Sequence, residues 1–349
     1  MVRIDARLRL WMEMQLKPDR VAGGPRYAAI EPGAICNLHC PFCPTGNGTL
    51  GLPQKFLTPE RFETVLDRLG PDLRSVLLFH WGEPLLNPGI HAIVGQASAR
   101  GIAADIHTNF SLPGFDAAAA GRLVESGLPL LVVACDGASQ ETYEQYRVGG
   151  RFDLVLRNIK LLLAERERRS SPHPEVIWRF LLHPGNEHEK ALATRTAAEL
   201  GVEIVFRDLI IPAKLRGHWP PAPSRPPARL PARKAAPPLS PFPSEEPASN
   251  PATNPALNPP LAPEPFRART EACLQTWDMP VIHSDGSVLP CCAQSGPEFS
   301  LGNIFEEPFE KIWNSPLAVA MRRYLKTGKA PRRKIPCIGC GINPHRPGA

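Results

Sequence analysis

Residues 36–43 read Cys36-Asn37-Leu38-His39-Cys40-Pro41-Phe42-Cys43, three cysteines at C-x3-C-x2-C spacing after the short apolar run Tyr27 to Ile30. Thiolates this close in one loop must meet at a single metal centre. Structural zinc takes four protein ligands, so it would need His39 or a distant side chain to complete the set. An iron-sulfur cube held by three thiolates instead leaves one iron open for another ligand. The apolar run reads as a strand, which puts the cysteine loop at its carboxyl end.

The remaining cysteines point the same way. Of nine, two more clusters are short, Cys291-Cys292 and Cys337/Cys340, while Cys135 and Cys273 stand alone. That is metal-ligand spacing in a chain of 349 residues, not the disulfide framework of a small secreted domain. A reducing cytoplasm is the expected location. The N-terminus shows no apolar core of the signal-peptide kind. The longest apolar run, near Leu128 to Cys135, is far below the roughly 20 residues of a membrane-spanning helix. The net charge of +6 would invite a nucleic-acid reading, but five of those charges fall between Pro212 and Arg269. The rest is nearly neutral, so neither nucleic acid nor membrane is expected as a partner.

Periodicity sets out the elements. Ile4, Leu8, Trp11 and Met12 predict an amphipathic helix over 3–16. Thr58-Pro59 starts a helix with Phe62, Val65, Leu66 and Leu69 on one face, ended by Gly70-Pro71. Strands follow at 75–81, 102–107, 129–135, 175–182 and 203–207, separated by helices at 90–99, 117–125, 152–168 and 188–200. Six strands alternating with helices predict a parallel α/β layout. A flavodoxin-like open sheet would alternate in the same way. From Pro212 to Arg267 the pattern stops, and 18 of the 42 prolines fall there. Such a stretch cannot bury a core and reads as a disordered or polyproline-like linker. Beyond it, Asp285-Gly286 between apolar residues signals a hairpin, and 308–313 reads as a helix.

At its first cysteine loop the chain resembles the radical S-adenosylmethionine (radical SAM) enzymes, whose signature has this spacing with an aromatic residue at the position of Phe42. The resemblance implies a partial (β/α)6 barrel with its chemistry at the carboxyl ends of the strands. It implies a [4Fe-4S] cluster on Cys36, Cys40 and Cys43, its open iron chelated by S-adenosylmethionine, which is cleaved reductively to a 5′-deoxyadenosyl radical. Trp81-Gly82-Glu83-Pro84 stands where the family holds the methionyl amino group, so Gly82, Glu83 and Pro84 are expected cofactor contacts. Thr108-Asn109 ends the next strand at the ribose side. Asp136-Gly137 and Arg147 match a further family strand, with Arg147 toward the carboxylate. Ala134 stands where many members carry serine, so one contact is missing. Asn186-Glu187 falls where relatives approach the adenosine. Cys135 reads as a buried core thiol.

The C-terminal cysteines resemble the auxiliary-cluster domain called SPASM, or its shorter form, twitch. Cys273, Cys291, Cys337 and Cys340 would close one second [4Fe-4S] cluster with no open iron, Cys291 being preferred over Cys292 because adjacent extended residues point opposite ways. A structural zinc on four cysteines is the competing reading. The expected organisation is an N-terminal helix over 1–24, a core barrel over 25–211, the linker over 212–267 and the cluster domain over 268–349. The expected function is hydrogen abstraction from a small carbohydrate-like or cyclitol molecule, fed by a flavodoxin or ferredoxin-type reductant. A maturase acting on a ribosomally made peptide is the alternative, and a zinc-binding scaffold with proline-rich docking segments is the reading from another class.

Overall fold

The computed structural model describes residues 16–209, 273, 275–292 and 297–340. The helix expected over 3–16, except Leu16, and the proline-rich stretch 212–267 lie outside the described residues. The chain runs β1 (Tyr27–Ile30), α1 (Pro59–Leu69), β2 (Ser75–Leu78), α2 (Ile90–Ala99), β3 (Ala103–Thr108), α3 (Ala117–Glu125) and β4 (Leu130–Ala134). It continues with α4 (Gln140–Tyr146), α5 (Phe152–Arg168), β5 (Glu175–Leu182), α6 (Lys190–Leu200) and β6 (Glu203–Asp208). Beyond the proline-rich stretch come α7 (Gln275–Asp278), β7 (Val281–Ile282), β8 (Ser287–Leu289), β9 (Gly302–Asn303), α8 (Phe309–Trp313) and α9 (Pro316–Thr327).

Local chemistry explains the boundaries. Thr58 Oγ1 accepts the Arg61 N–H at 3.3 Å to cap α1, and Gly70 at φ +87° ends it. Strand β2 stops at Leu78 rather than Trp81, because the Trp81 N–H is given to Glu31 Oε1 at 3.2 Å instead of to a ladder. Of the three helices missed in the sequence, α4, α7 and α9, the first and last are capped by serine, Ser139 and Ser315.

The strands form one sheet in the order β6-β5-β4-β3-β2-β1-β7-β8-β9, with β1 to β6 parallel. This order separates the two layouts that alternation could not. A doubly wound sheet reverses its strand order and takes helices on both faces. Sequential parallel strands joined by crossovers of one hand put every helix on the same face, so the sheet curls with its other face toward a lumen. Among the described residues β6 does not pair with β1, and the barrel is open.

Alternation along each strand then sorts the side chains. Ile30, Val76, Ile106, Val133, Trp178 and Phe180 pack under the helices. Trp178 is fully buried and its indole N–H donates to the Cys135 carbonyl at 2.6 Å; truncation to alanine would cost about 3–5 kcal/mol. The opposite face carries Ala29, Leu77 and Phe79, against which Val281, Leu289 and Cys292 pack.

The C-terminal unit is continuous with the barrel sheet. Strand β7 pairs parallel with β1, Ala29 opposite Val281 and Ile30 opposite Ile282, and β8 returns antiparallel. Gly286, at φ +95°, makes the turn where a Cβ would lie 2.3 Å from the Phe305 ring. Buried Arg322 on α9 reaches the Thr276 carbonyl at 2.8 Å and the Asp19 carbonyl at 3.3 Å, and Asn314 exchanges two hydrogen bonds of 2.9 Å with the Val21 backbone. The segment that leads into β1 is thereby fixed to the C-terminal unit.

Candidate metal and cofactor centre

The first cysteine loop leaves the carboxyl end of β1 and is pinned from three sides. His39 N–H donates to the Val148 carbonyl at 2.9 Å, Asn37 Nδ2 to the Ser111 carbonyl at 2.8 Å, and Cys43 N–H turns back to the Cys40 carbonyl at 3.1 Å. Gly46 lies so close that a Cβ there would sit 2.5 Å from the Cys40 nitrogen. The three thiols share one pocket with Leu38, Phe42, Tyr146 and Leu181. Burial pushes the Cys40 thiol up to about 11 against the pull of Arg147, and burial and the nearby Glu83 carboxylate raise that of Cys36 further. Isolated thiolates are therefore costly here, and a cation is what would stabilise them.

Two side-chain donors already face the sulfurs, beside the Leu38 N–H at 3.5 Å from Cys36 Sγ. Arg147 Nη1 lies 3.8 Å from Cys40 Sγ, and Asn109 Nδ2 lies 3.7 Å from Cys36 Sγ. Such N–H to sulfur contacts suit cluster thiolates, whose potential they tune. The residues thus fit an iron-sulfur cluster. Arg147 is itself held by Asp136, Nε to Oδ2 at 2.6 Å, and the other Asp136 oxygen accepts the Leu181 N–H at 2.8 Å. Asn186 is buried and donates to the Asp136 and Leu181 carbonyls at 3.0 and 2.8 Å, so it ties the ends of β4 and β5 together.

Glu83 is buried between β2 and β3. Its carboxylate accepts from Thr108 Oγ1 at 2.7 Å, Asn109 N at 2.7 Å and Leu85 N at 3.0 Å, and burial still pushes its carboxyl up. Gly82 admits no side chain, since a Cβ would meet the Gly33 carbonyl oxygen at 1.7 Å. Pro84 opens the single turn Pro84–Leu86 that Glu83 caps. Gly82, Glu83, Pro84, Asn109, Asp136 and Arg147 therefore converge on the cysteine loop from three strand ends. Phe42 stands 5.9 Å from the Tyr146 ring at the same rim. Cys135 is fully buried, its Sγ turned to the Gly137 carbonyl at 3.6 Å.

The C-terminal thiols gather separately. Cys340 N–H turns to the Cys337 carbonyl at 3.2 Å. Burial pushes the Cys337 thiol up to about 12, with Cys273 and Cys340 adding to the rise. Burial also raises Cys273, with Cys340 and Cys292 contributing, and Cys292 feels Cys340 in turn. Cys292, next to the expected ligand Cys291, stands at this group, and Gln275 Nε2 lies 3.3 Å from its sulfur.

Two residues of the lumen escaped the sequence. Arg179 on β5 donates from Nη1 to His107 Nδ1 on β3 at 3.1 Å, and Phe79 stacks on the His107 ring at 4.0 Å. Burial, then the charge of Arg179, holds His107 well below its usual value, which makes it a neutral acceptor. The Nε of Arg179 is buried without a partner, and among the described residues no carboxylate pairs with this guanidinium. Alternation places both residues on the lumen face, but only the curled sheet brings them together.

The family model of the Radical SAM superfamily matches residues 30–173, and that of an iron-sulfur cluster-binding domain, SPASM, matches residues 273–341. Over 143 residues the chain is 29% identical to an AdoMet-dependent heme synthase of Methanosarcina barkeri, covering 41% of this chain and 40% of that one. Over 72 residues it is 42% identical to the antilisterial bacteriocin subtilosin biosynthesis protein AlbA of Bacillus subtilis, covering 21% of this chain and 15% of AlbA. These matches span well under two thirds of either relative. The fold is similar to that of Streptococcus suis SuiB bound to S-adenosylmethionine, with a TM-score of 0.61 at 14% identity, covering 97% of this chain and 75% of SuiB.

Proposed function

We propose, from the premise that this chain is a radical SAM enzyme with a C-terminal SPASM domain, that it abstracts hydrogen from a small anionic molecule held in the lumen. The observation that carries this reading is Arg179, a lumen cation with a buried, unpartnered Nε and no carboxylate in ion-pair contact with it among the described residues. A guanidinium left in this way suits a carboxylate or phosphate, which it can grip with two parallel hydrogen bonds. The carbohydrate-like or cyclitol substrate expected from the sequence fits if it bears such a group.

A [4Fe-4S] cluster carrying S-adenosylmethionine supplies reductive cleavage and the hydrogen-abstracting radical when bound. Cys36, Cys40 and Cys43 would hold that cluster, and Arg147 and Asn109 would donate to its sulfur ligands. Asp136 keeps Arg147 aimed at the loop. Glu83 fixes the ends of β2 and β3 relative to each other, and with Gly82 and Pro84 would line the cofactor's methionyl side. Phe42 and Tyr146 exclude water at the rim. Cys273, Cys337 and Cys340, with Cys291 or Cys292, would hold the auxiliary cluster, and its position beside β1 suits a role toward substrate rather than toward S-adenosylmethionine.

We place the enzyme in a reducing cytoplasm with a flavodoxin or ferredoxin-type donor, in line with nine free thiols and no described helix long and apolar enough to cross a membrane. A peptide substrate is the second reading, favoured by the local identity with AlbA. The test is anaerobic 5′-deoxyadenosine formation with dithionite, run against sugar acids, sugar phosphates and their neutral counterparts. An anionic compound that accelerates the wild type, and fails to accelerate Arg179→Met, supports the reading. Equal stimulation by neutral counterparts would overturn it.

A further inference from the structure

Apart from the two cysteine groups, one cluster of metal-ligating side chains among the described residues lies at the seam between barrel and C-terminal unit. Glu31 follows β1, His80 follows β2 and His283 follows β7, and one ligand atom from each lies within 4.8 Å of the other two. The register produces this meeting. Ala29 is opposite both Leu77 and Val281, so the residues just beyond the three strands arrive at one level.

The hydrogen bonding of these groups leaves lone pairs without donors. His80 Nε2 lies 3.1 Å from the Cys292 carbonyl, which can only accept, so Nε2 carries the proton and Nδ1 is bare. That Nδ1 is buried with no partner. His283 Nδ1 lies 3.1 Å from Glu31 Oε2; with its proton given to the carboxylate, its buried Nε2 is bare as well and also lacks a partner. The two imidazole rings meet edge to face at 5.0 Å. Glu31 is fully buried, and His283 is its only ion-pair partner among the described residues.

Buried charges are paired or coordinate metals, and buried lone pairs without donors cost free energy. A cation between these groups removes both costs. Two imidazoles and a carboxylate are the donor set of divalent zinc, iron or manganese. The contacts behind them match as well, because metal-bound histidines give their second ring N–H to a backbone carbonyl or a carboxylate. We propose that Glu31, His80 and His283 form a mononuclear site for a divalent transition-metal ion, separate from both cysteine groups. Such an ion would join β1 and β2 of the barrel to β7 of the C-terminal unit.

The test uses the full chain with both clusters reconstituted, dialysed anaerobically against EDTA and titrated with Co2+. Wild type should take up one equivalent with the weak visible bands of nitrogen and oxygen ligation, and EDTA should remove it. His80→Gln and His283→Gln should each bind Co2+ at least about 10-fold more weakly. In wild type alone, the equivalent should raise the midpoint of thermal unfolding, so the proposal is decided even if a variant fails to fold. No uptake would mean that water or a second proton satisfies the nitrogens, and would overturn the site. Uptake with intense thiolate charge-transfer bands would place the ion on cysteines and overturn it too.

Discussion

Asp136→Asn removes one charge from the centre of the site while keeping the side chain's shape. In the folded protein Asp136 is fully buried, its Oδ2 2.6 Å from Arg147 Nε and its Oδ1 accepting the Leu181 N–H at 2.8 Å. An asparagine offers one acceptor oxygen to these two donors, so its amide N–H must face either Arg147 or Leu181. Arg147, whose side chain is only 13% exposed, is left as a buried cation without its counter-charge. Breaking a buried pair in this way costs about 3–5 kcal/mol. Urea unfolding of the anaerobic, reduced apoprotein measures it, and Arg147→Met completes a double-mutant cycle. The double variant should lose about 1–3 kcal/mol less than the two single losses combined. A loss below about 1 kcal/mol for Asp136→Asn, or strict additivity, would refute the view that Asp136 positions Arg147.

Three other outcomes are expected. Cys36→Ala, Cys40→Ala and Cys43→Ala should each abolish 5′-deoxyadenosine formation with dithionite under argon, since two thiolates leave a cube underligated; wild-type yields would reject the assignment. Cys337→Ala with Cys340→Ala should lose about half of the reconstituted iron if both sites hold cubes, while 5′-deoxyadenosine still forms uncoupled from substrate. The lumen carboxyl of Asp105 is pushed up by burial to about 6 from 3.8. Its folded value lies above its unfolded one, so the penalty is absent below about pH 4 and complete above about pH 6. Asp105→Asn should accordingly raise stability at pH 7.5 by up to roughly 3 kcal/mol and leave it unchanged at pH 3.5, as urea midpoints would register.

The sequence carried the barrel well because its strands and helices bury opposite faces at their own periods. Residues 90–99, 117–125, 152–168 and 175–182 were read with the bounds observed. Among the helices it missed, α7 is a single turn of four residues with no period to read. Helix α4 is seven residues, polar apart from its tyrosines, and so too short for a periodic face to register. Helix α9 had a readable start in Ser315-Pro316, with Ser315 Oγ accepting the Ala318 N–H at 3.4 Å. The choice between Cys291 and Cys292 was out of reach for another reason. Strand β8 ends at Leu289, and the phase of alternation is lost through Pro290 before the cysteines arrive. Arg179, His107 and the cluster of Glu31, His80 and His283 share no local signal at all, because their meeting depends on strands far apart in sequence.

The pairing of β7 with β1 is the feature with the widest consequences. In an isolated barrel β1 would be an edge strand, exposing unpaired backbone groups beside the cysteine loop. Here the Ala29 N–H is taken by the Pro280 carbonyl at 3.0 Å and the Glu31 N–H by the Ile282 carbonyl at 2.8 Å. The first cysteine loop therefore emerges from an interior strand of a nine-stranded sheet. The hairpin that closes that edge runs directly into Cys292, whose carbonyl meets His80 at the end of β2. Both cysteine groups are thus referred to the same pair of strands, β1 and β7, which backbone hydrogen bonds join directly. A displacement of the C-terminal unit would have to break these bonds and expose Glu31. The distance between the two centres is consequently set by sheet register.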